Sequence, residues 1–182
     1  MRIIAGIWRG RQLLAPADRA IRPTSDRARE ALFGILEHGA PSLRGARFLD
    51  LFCGTGAVGL EAASRGAAEV LLVDDDARAL GLARANLERL GAPDNVRLVA
   101  RDATRLGRAP QPYDLVFLDP PWRSGLATPA LAALRDGWLA DGARLVVEAD
   151  GREELDLPAG FALEQERRYG AARFTFLRPA AG

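Results

Sequence analysis

Lysine is absent from this 182-residue chain: all 25 of its basic residues are arginine. Arginine suits phosphate contact and base stacking, but a total lack of lysine is equally a signature of genome composition and carries no inference about heat stability. Cysteine occurs once, at Cys53, which excludes an internal disulfide and a cysteine-rich zinc site and fits a reducing compartment. No apolar run approaches the roughly 20 residues of a membrane span, and no signal-peptide core is present, so the expected location is the cytoplasm. Internal repeats and low-complexity tracts are missing too. What remains is ordinary for a globular protein, with 48% hydrophobic and 27% charged residues. The length fits one domain, or one domain with an appendage, able to bury roughly 70% of its unfolded surface without a staple.

The net charge of +1 hides an asymmetry. Residues 1–30 carry seven arginines against Asp18, Asp26 and Glu30, about +4, which leaves about −3 for the rest. A basic arm on a mildly acidic body is what a polyanion contact needs, although a solvated N-terminal face has the same composition.

Residues 2–14 read as a hairpin turning around Gly6 to Gly10. From Thr24 a helix is predicted, since Ala28, Ala31, Leu32, Ile35 and Leu36 recur at helical spacing, and Gly39 and Pro41 end it. Strands and helices then alternate: a strand Arg47 to Leu51, a helix Ala57 to Ser64, a strand Glu69 to Val73 and a helix Asp76 to Leu90. Strands follow at Val96 to Ala100 and Tyr113 to Leu118. Thr128-Pro129 reads as the cap and first residue of a helix running to Trp138, before a fifth strand, Arg144 to Glu148. Phe161 to Arg168 and Arg173 to Arg178 form a terminal hairpin. The pattern is α/β, Rossmann-like: a mainly parallel sheet with one antiparallel strand and helices on both faces.

The first strand ends at Asp50-Leu51-Phe52 and runs into Cys53-Gly54-Thr55-Gly56-Ala57-Val58-Gly59. Gly54, Gly56 and Gly59 match G-x-G-x-x-G in the strand-to-helix position where a cofactor approaches bare backbone. Asp74 closes the second strand, where a carboxylate accepts from ribose hydroxyls. A dinucleotide site shares these features, as do purely structural glycines. Asp50 favours a methyl donor instead, because a carboxylate at that strand end can face the positive end of a methionine-type ligand. Nothing in the loop demands a phosphate. Asp102-Ala103, after the third strand, is placed to meet an adenine, although Asp102 also suits a cap.

The fourth strand leads into Asp119-Pro120-Pro121-Trp122, beside the glycine loop if the sheet binds beyond its carboxyl ends. An exocyclic base amine is a poor nucleophile because its lone pair is delocalised. Two acceptors aimed at its N–H bonds, the Asp119 carboxylate and the Pro120 carbonyl held by consecutive prolines, would draw it toward tetrahedral geometry. Trp122 offers a face on which a flipped base can stack. A proline-rich turn beside a core tryptophan is the bland alternative.

Asp50 to Gly56 with Asp119 to Trp122 resembles the amino-group branch of class I methyltransferases. Arg2 to Gly6, Trp8-Arg9-Gly10-Arg11, Arg22 to Glu30 and Leu32-Phe33 resemble the RsmD family of bacterial 16S ribosomal RNA guanine-N2 methyltransferases. The resemblance runs from Arg2 to the terminal hairpin. It implies a seven-stranded sheet and S-adenosylmethionine as donor, held by Asp50, Phe52, Cys53, Gly54, Thr55, Gly56, Asp74, Asp75, Asp102 and Ala103. Asp119, Pro120, Pro121 and Trp122 would meet the target guanine, in 16S RNA of the small subunit or its assembly intermediate. Tryptophan stands at 122 where the family more often has Tyr or Phe, and aspartate at 74 where it usually has Glu. Being shorter, Asp74 would share the ribose with Asp75 or a water.

Residues 1–42 are thus expected to be an extension for RNA contact and cofactor closure, through Arg9, Arg11, Arg22, Arg27 and Arg29, and residues 43–182 the methyltransferase domain. Helix-surface ion pairs among Arg27, Arg29 and Glu30 are the alternative. Cys53 reads as a small loop residue, His38 as a helix C-cap, and Glu61 as solvent-facing or a local cap. A monomer without metal is expected. The competing functions are adenine-N6 methylation, which usually carries Asn at the Asp119 position, and a catalytically silent RNA-binding assembly factor.

Overall fold

The computed structural model describes residues 1–16, 25–91 and 93–180. Seven strands form one sheet: β1 (Arg47–Leu51), β2 (Glu69–Asp74), β3 (Val96–Ala100), β4 (Tyr113–Leu118), β5 (Leu139–Asp150), β6 (Phe161–Tyr169) and β7 (Ala172–Pro179). Their spatial order is β3-β2-β1-β4-β5-β7-β6. β1 to β5 are parallel, and β7 runs antiparallel between β5 and β6. The order reverses between β1 and β4, the crevice where open α/β sheets bind their ligands.

The interior strands alternate apolar side chains between two clusters. On one face Phe48, Val70, Leu72, Leu115, Phe117 and Val146 pack with α1 (Asp26–Glu37) and α2 (Ala57–Ser64), and α3 (Ala77–Arg89) adds Leu87 to the edge of that cluster. On the other, Leu49, Val73, Val116 and Leu145 pack with Leu131 and Leu134 at α4 (Ala127–Ala133). Both faces are therefore covered by helix, as a mainly parallel sheet requires.

Helix boundaries follow local chemistry. Ser25 caps α1, its hydroxyl accepting from the Ala28 N–H at 3.2 Å. Asp76 caps α3 by accepting from Arg78 N–H and Ala79 N–H. The Thr128-Pro129 cap is not what forms. Leu126 precedes the helix, and the Thr128 hydroxyl instead donates to the Asp156 carbonyl at 2.6 Å. α4 also stops at Ala133, and the chain turns through Gly137 at φ +81° before reaching Trp138. Trp138 is a core residue stacked on Tyr113, its indole N–H bonded to the Gly107 carbonyl. β5 begins at Leu139 rather than Arg144: Leu139 pairs with Tyr113, and after an irregularity that leaves residues 140–143 unpaired with β4 the register resumes at Leu115 and Arg144.

The N-terminal hairpin has a bridge at Arg2 and Gln12 and backbone bonds from Ile3 N–H to Arg11, Gly10 N–H to Ile3 and Leu13 N–H to Met1, and side chains fasten it to the helices. Glu61, expected at the surface, is fully buried and accepts from the Ile4 and Ala5 N–H groups at 2.7 and 2.9 Å and from Arg65 Nε at 2.7 Å. Ser64 adds a bond to the Ala5 carbonyl. Asn86 of α3 joins the end of the arm to the glycine loop, through the Leu14 backbone and the Thr55 carbonyl. Ile3 and Leu13 belong to the same core cluster as Phe33 and Phe48. The arm and the sheet share one interior.

Candidate active site

Strand alternation decides where the acidic residues go. Asp50 follows Phe48 by two on β1, Asp74 follows Leu72 on β2, Asp119 follows Phe117 just past β4, and Glu148 follows Val146 on β5. All four therefore rise from the face that α1 to α3 cover, at the carboxyl edge of the sheet. Leu118 pairs with Val147, so Asp119 and Glu148 are the next step of that register. Sequence reading placed Glu148 at a strand end but gave it no role. The cue was available, since three other strands of this sheet end in an acid on the same face.

The loop after β1 is built on left-handed backbone: Phe52 at φ +58°, Gly54 at +55° and Gly56 at +77°. For a bulky residue such as Phe52 this conformation is strained and is held only by its surroundings, a pattern typical of functional sites. A side chain at Gly54 would meet no atom within 4 Å, so the backbone there borders open space. At Gly59 a Cβ would run into Leu72, Val70 and the Asp50 carboxylate, and glycine alone lets α2 lie against β2. Gly59 N–H donates to Asp50 Oδ2 at 2.8 Å. Asp50 thus caps the first turn of α2 from below, a helix that Gly56 leaves without a side-chain cap. Asp74 Oδ2 accepts from Gly54 N–H at 2.8 Å and its Oδ1 from Asp76 N–H at 3.0 Å. The loop is tied to both neighbouring strand ends.

These groups line one crevice of about 680 Å³, a volume ordinary for a cofactor site. Phe52 to Thr55 and Asp74 to Asp76 form one wall, and Asp119 to Trp122 another. Asp102 sits at the rim, half-buried, with Oδ1 accepting from both the N–H and the hydroxyl of Thr104. Those bonds hold its carboxyl below the usual range. Ala103 lies in the second core cluster instead and is not among the lining residues. In the tetrapeptide, the Pro121 carbonyl accepts from Ser124 N–H, whereas no backbone N–H of a described residue bonds the Pro120 carbonyl. Arg123, at φ +60°, fastens the segment to the chain beyond β5, its guanidinium on Asp150 and its N–H on Glu153.

Burial dominates the electrostatics. Desolvation pushes the Asp50 carboxyl up to about 8, partly countered by the Gly59 N–H and reinforced by Asp74. Asp119 is raised well above an ordinary carboxyl, by desolvation first and then by the charges of Glu148 and Asp50. Asp74 is raised by desolvation against the pull of its two backbone N–H bonds. The Cys53 thiol is buried and pushed up as well, which makes it unreactive.

Of the arginines expected at RNA, Arg9, Arg11 and Arg27 are exposed, and Arg22 lies outside the described residues. Arg29 is a correction. It is fully buried, lines the crevice, and pairs with Asp26 rather than Glu30. His38 caps α1, its Nδ1 2.8 Å from the Gly34 carbonyl oxygen.

A family model described as conserved hypothetical protein 95 matches residues 1–178. The full chain is 41% identical to the ribosomal RNA small subunit methyltransferase D of Escherichia coli, covering 92% of it. Across 96% of its length it is 33% identical to the protein of the same name from Haemophilus influenzae, covering 91% of that one. Among solved structures, the Escherichia coli protein yhhF superposes at a TM-score of 0.83 with 37% identity, over 100% of this chain and 99% of that one.

Proposed function

The chain belongs to the RsmD family, the one described as conserved hypothetical protein 95, and from that premise we propose that it methylates the exocyclic N2 of a guanine in 16S ribosomal RNA, with S-adenosylmethionine as donor. The observation that carries this reading is that Asp119 and Trp122 line the same crevice as Asp50, Gly54 and Asp74. The acceptor for an amine and the groups suited to the donor border one space.

The residues present fit such a donor. Asp74 and the exposed Asp75 would take the ribose, Asp102 the adenine amino group, and the apolar Phe52 and Leu126 flank the crevice. Phe52, Cys53, Gly54, Thr55 and Gly56 supply the close backbone. When bound, the donor supplies an electrophilic methyl group. Asp119 and the Pro120 carbonyl accept the two N–H bonds of the target amine and oppose the positive charge that grows on its nitrogen. A carboxyl whose affinity for protons has been raised by burial is also a better base, so Asp119 takes the proton that nitrogen must shed. Trp122, half-buried at the crevice, stacks the flipped base.

Residues 1–42 act as the RNA-facing extension of the methyltransferase domain. At the hairpin tip Ile7 is 78% exposed and Arg9 and Arg11 are exposed near it in the chain, a combination of apolar and cationic surface suited to RNA. The test is transfer of tritium from labelled donor onto small subunits isolated from a strain deleted for this gene, with the labelled nucleotide then mapped. N2-methylguanosine in the small-subunit RNA is expected. Label appearing as N6-methyladenosine would overturn the substrate, and no transfer to any RNA would overturn the enzyme.

A further inference from the structure

The buried face of α1 reads Ala28, Arg29, Leu32, Phe33, Leu36. Arg29, Leu32, Phe33 and Leu36 are spaced by three and four, the stripe of a helix that packs on a core, and an arginine lies in it. Its guanidinium is entirely shielded from solvent. Nη2 is satisfied, donating to the Arg2 carbonyl at 2.8 Å and to Asp26 Oδ1 at 2.6 Å. Nε and Nη1 are buried with no hydrogen-bond partner among the described residues. Arginine carries five N–H bonds, so most of this donor set is removed from water and unanswered. The Asp26 pair answers one side of the guanidinium, but leaving the other side buried and unbonded is costly, and a missing ligand is one explanation of such a group.

The crevice indicates what that ligand is. Among the described residues, its charged lining besides Arg29 consists of Asp50, Asp74, Asp75, Asp76, Asp102 and Asp119, one cation against six acids. The neutral purine and ribose of the donor have no use for a cation. The donor's amino-acid end carries one carboxylate, and Arg29 is the cation that the described lining offers it.

We propose that Arg29 binds the α-carboxylate of the methyl donor, so that α1 joins the extension to the cofactor. This rests on the donor reading of the crevice. The N-terminal extension then senses donor occupancy directly, because the same guanidinium holds the Arg2 carbonyl at the base of the hairpin. Arg29 is a binding residue whose sequence position, inside a run of arginines expected at RNA, disguises it.

Calorimetry on the full chain with three probes tests this: S-adenosylhomocysteine, its decarboxylated analogue, and 5′-methylthioadenosine, which lacks the amino-acid end. In the wild type, loss of the carboxylate is expected to weaken binding about 10- to 100-fold, as for one desolvated charge-assisted contact. Arg29→Met should weaken S-adenosylhomocysteine by a similar factor while leaving methylthioadenosine within about twofold, and unchanged methylthioadenosine affinity also shows that the crevice still folds. Arg29→Lys, which keeps the charge, should recover part of the loss. Equal wild-type affinity for the carboxylated and decarboxylated probes overturns the proposal whatever the variants do. So does an Arg29→Met protein that still prefers the carboxylated probe. Failure of the wild type to bind any of the three overturns the donor reading itself.

Discussion

The role proposed for Asp119 and its burial pull its protonation in opposite directions. To accept from an amine N–H it must be ionised, while burial beside Glu148 and Asp50 favours its protonated form. The ionised fraction therefore grows as pH rises past the ordinary carboxyl range, and the rate of methyl transfer should grow with it. Asp119→Ala is expected to lower the single-turnover rate by about 10²- to 10³-fold, the usual effect of removing one preorganised group that stabilises transition-state charge. Affinity for S-adenosylhomocysteine should stay nearly constant, since this side chain faces the amine rather than the donor. Rapid-quench transfer at several pH values, with calorimetry alongside, measures both. A variant that loses donor binding and rate together would move Asp119 from the amine to the donor. The place of this aspartate in the crevice of the glycine loop was legible in the tetrapeptide because it follows the fourth strand at the carboxyl edge of the sheet. Arg29 was not legible, because charge alone does not distinguish an arginine on the wet side of a helix from one on its core stripe.

At the scale of elements, the five parallel strands and the terminal hairpin were readable because a buried strand and a helix differ in period. β1 and β4 in particular are bounded by residues that announce their ends, Gly54 and Pro120. Boundaries set by tertiary contact were less readable. α4 loses Thr128 as a cap because the Asp156 carbonyl competes for its hydroxyl, and no local pattern reveals a competitor 28 residues away. Glu61 is a similar case. It sits on α2 with the spacing of an ordinary i,i+4 pair to Arg65, yet its main partners are the Ile4 and Ala5 N–H groups far back in the chain. The joint between hairpin and sheet is thus a buried carboxylate that answers two backbone donors and one guanidinium. Glu61→Ala leaves the two N–H groups and Arg65 Nε without their acceptor, while Arg65 Nη1 keeps Glu37, and breaking a buried pair in this way costs up to about 3–5 kcal/mol. Denaturant unfolding should show that loss. Hydrogen exchange should show the Ile4 and Ala5 amides opening first, ahead of β1. Unchanged protection at those two amides would mean that the hairpin is held by its apolar contacts alone.

Across the whole molecule, stability is set against charge at the carboxyl edge of the sheet. Three carboxyls there, Asp50, Asp74 and Asp119, have their proton affinities raised on folding, chiefly by desolvation. A raised acid binds more protons in the folded than in the unfolded chain, so stability falls as pH rises between the unfolded value and the folded one. For Asp50 that window runs from 3.8 to about 8. Within it each such group removes at most about 1.4 kcal/mol per pH unit. The acids displaced the other way, Asp102 and Asp150, are lowered by hydrogen bonds at the surface and are already ionised throughout the window. The protein without donor should therefore melt at a lower temperature at pH 8 than at pH 5, by about 2–4 °C for each kcal/mol lost. Asp50→Asn keeps a carbonyl to accept from Gly59 N–H but cannot ionise, so it should flatten the slope and raise the melting temperature at pH 8 more than at pH 5. Scanning calorimetry of both proteins across that range decides the matter: a wild type that becomes more stable toward pH 8 would show that the buried acids are paired in solution. The donor reading adds a coupling to this balance. A ligand that brings an ammonium toward these acids favours their ionised forms, so S-adenosylhomocysteine should raise the melting temperature more at pH 8 than at pH 5, at the edge where the empty crevice is least stable.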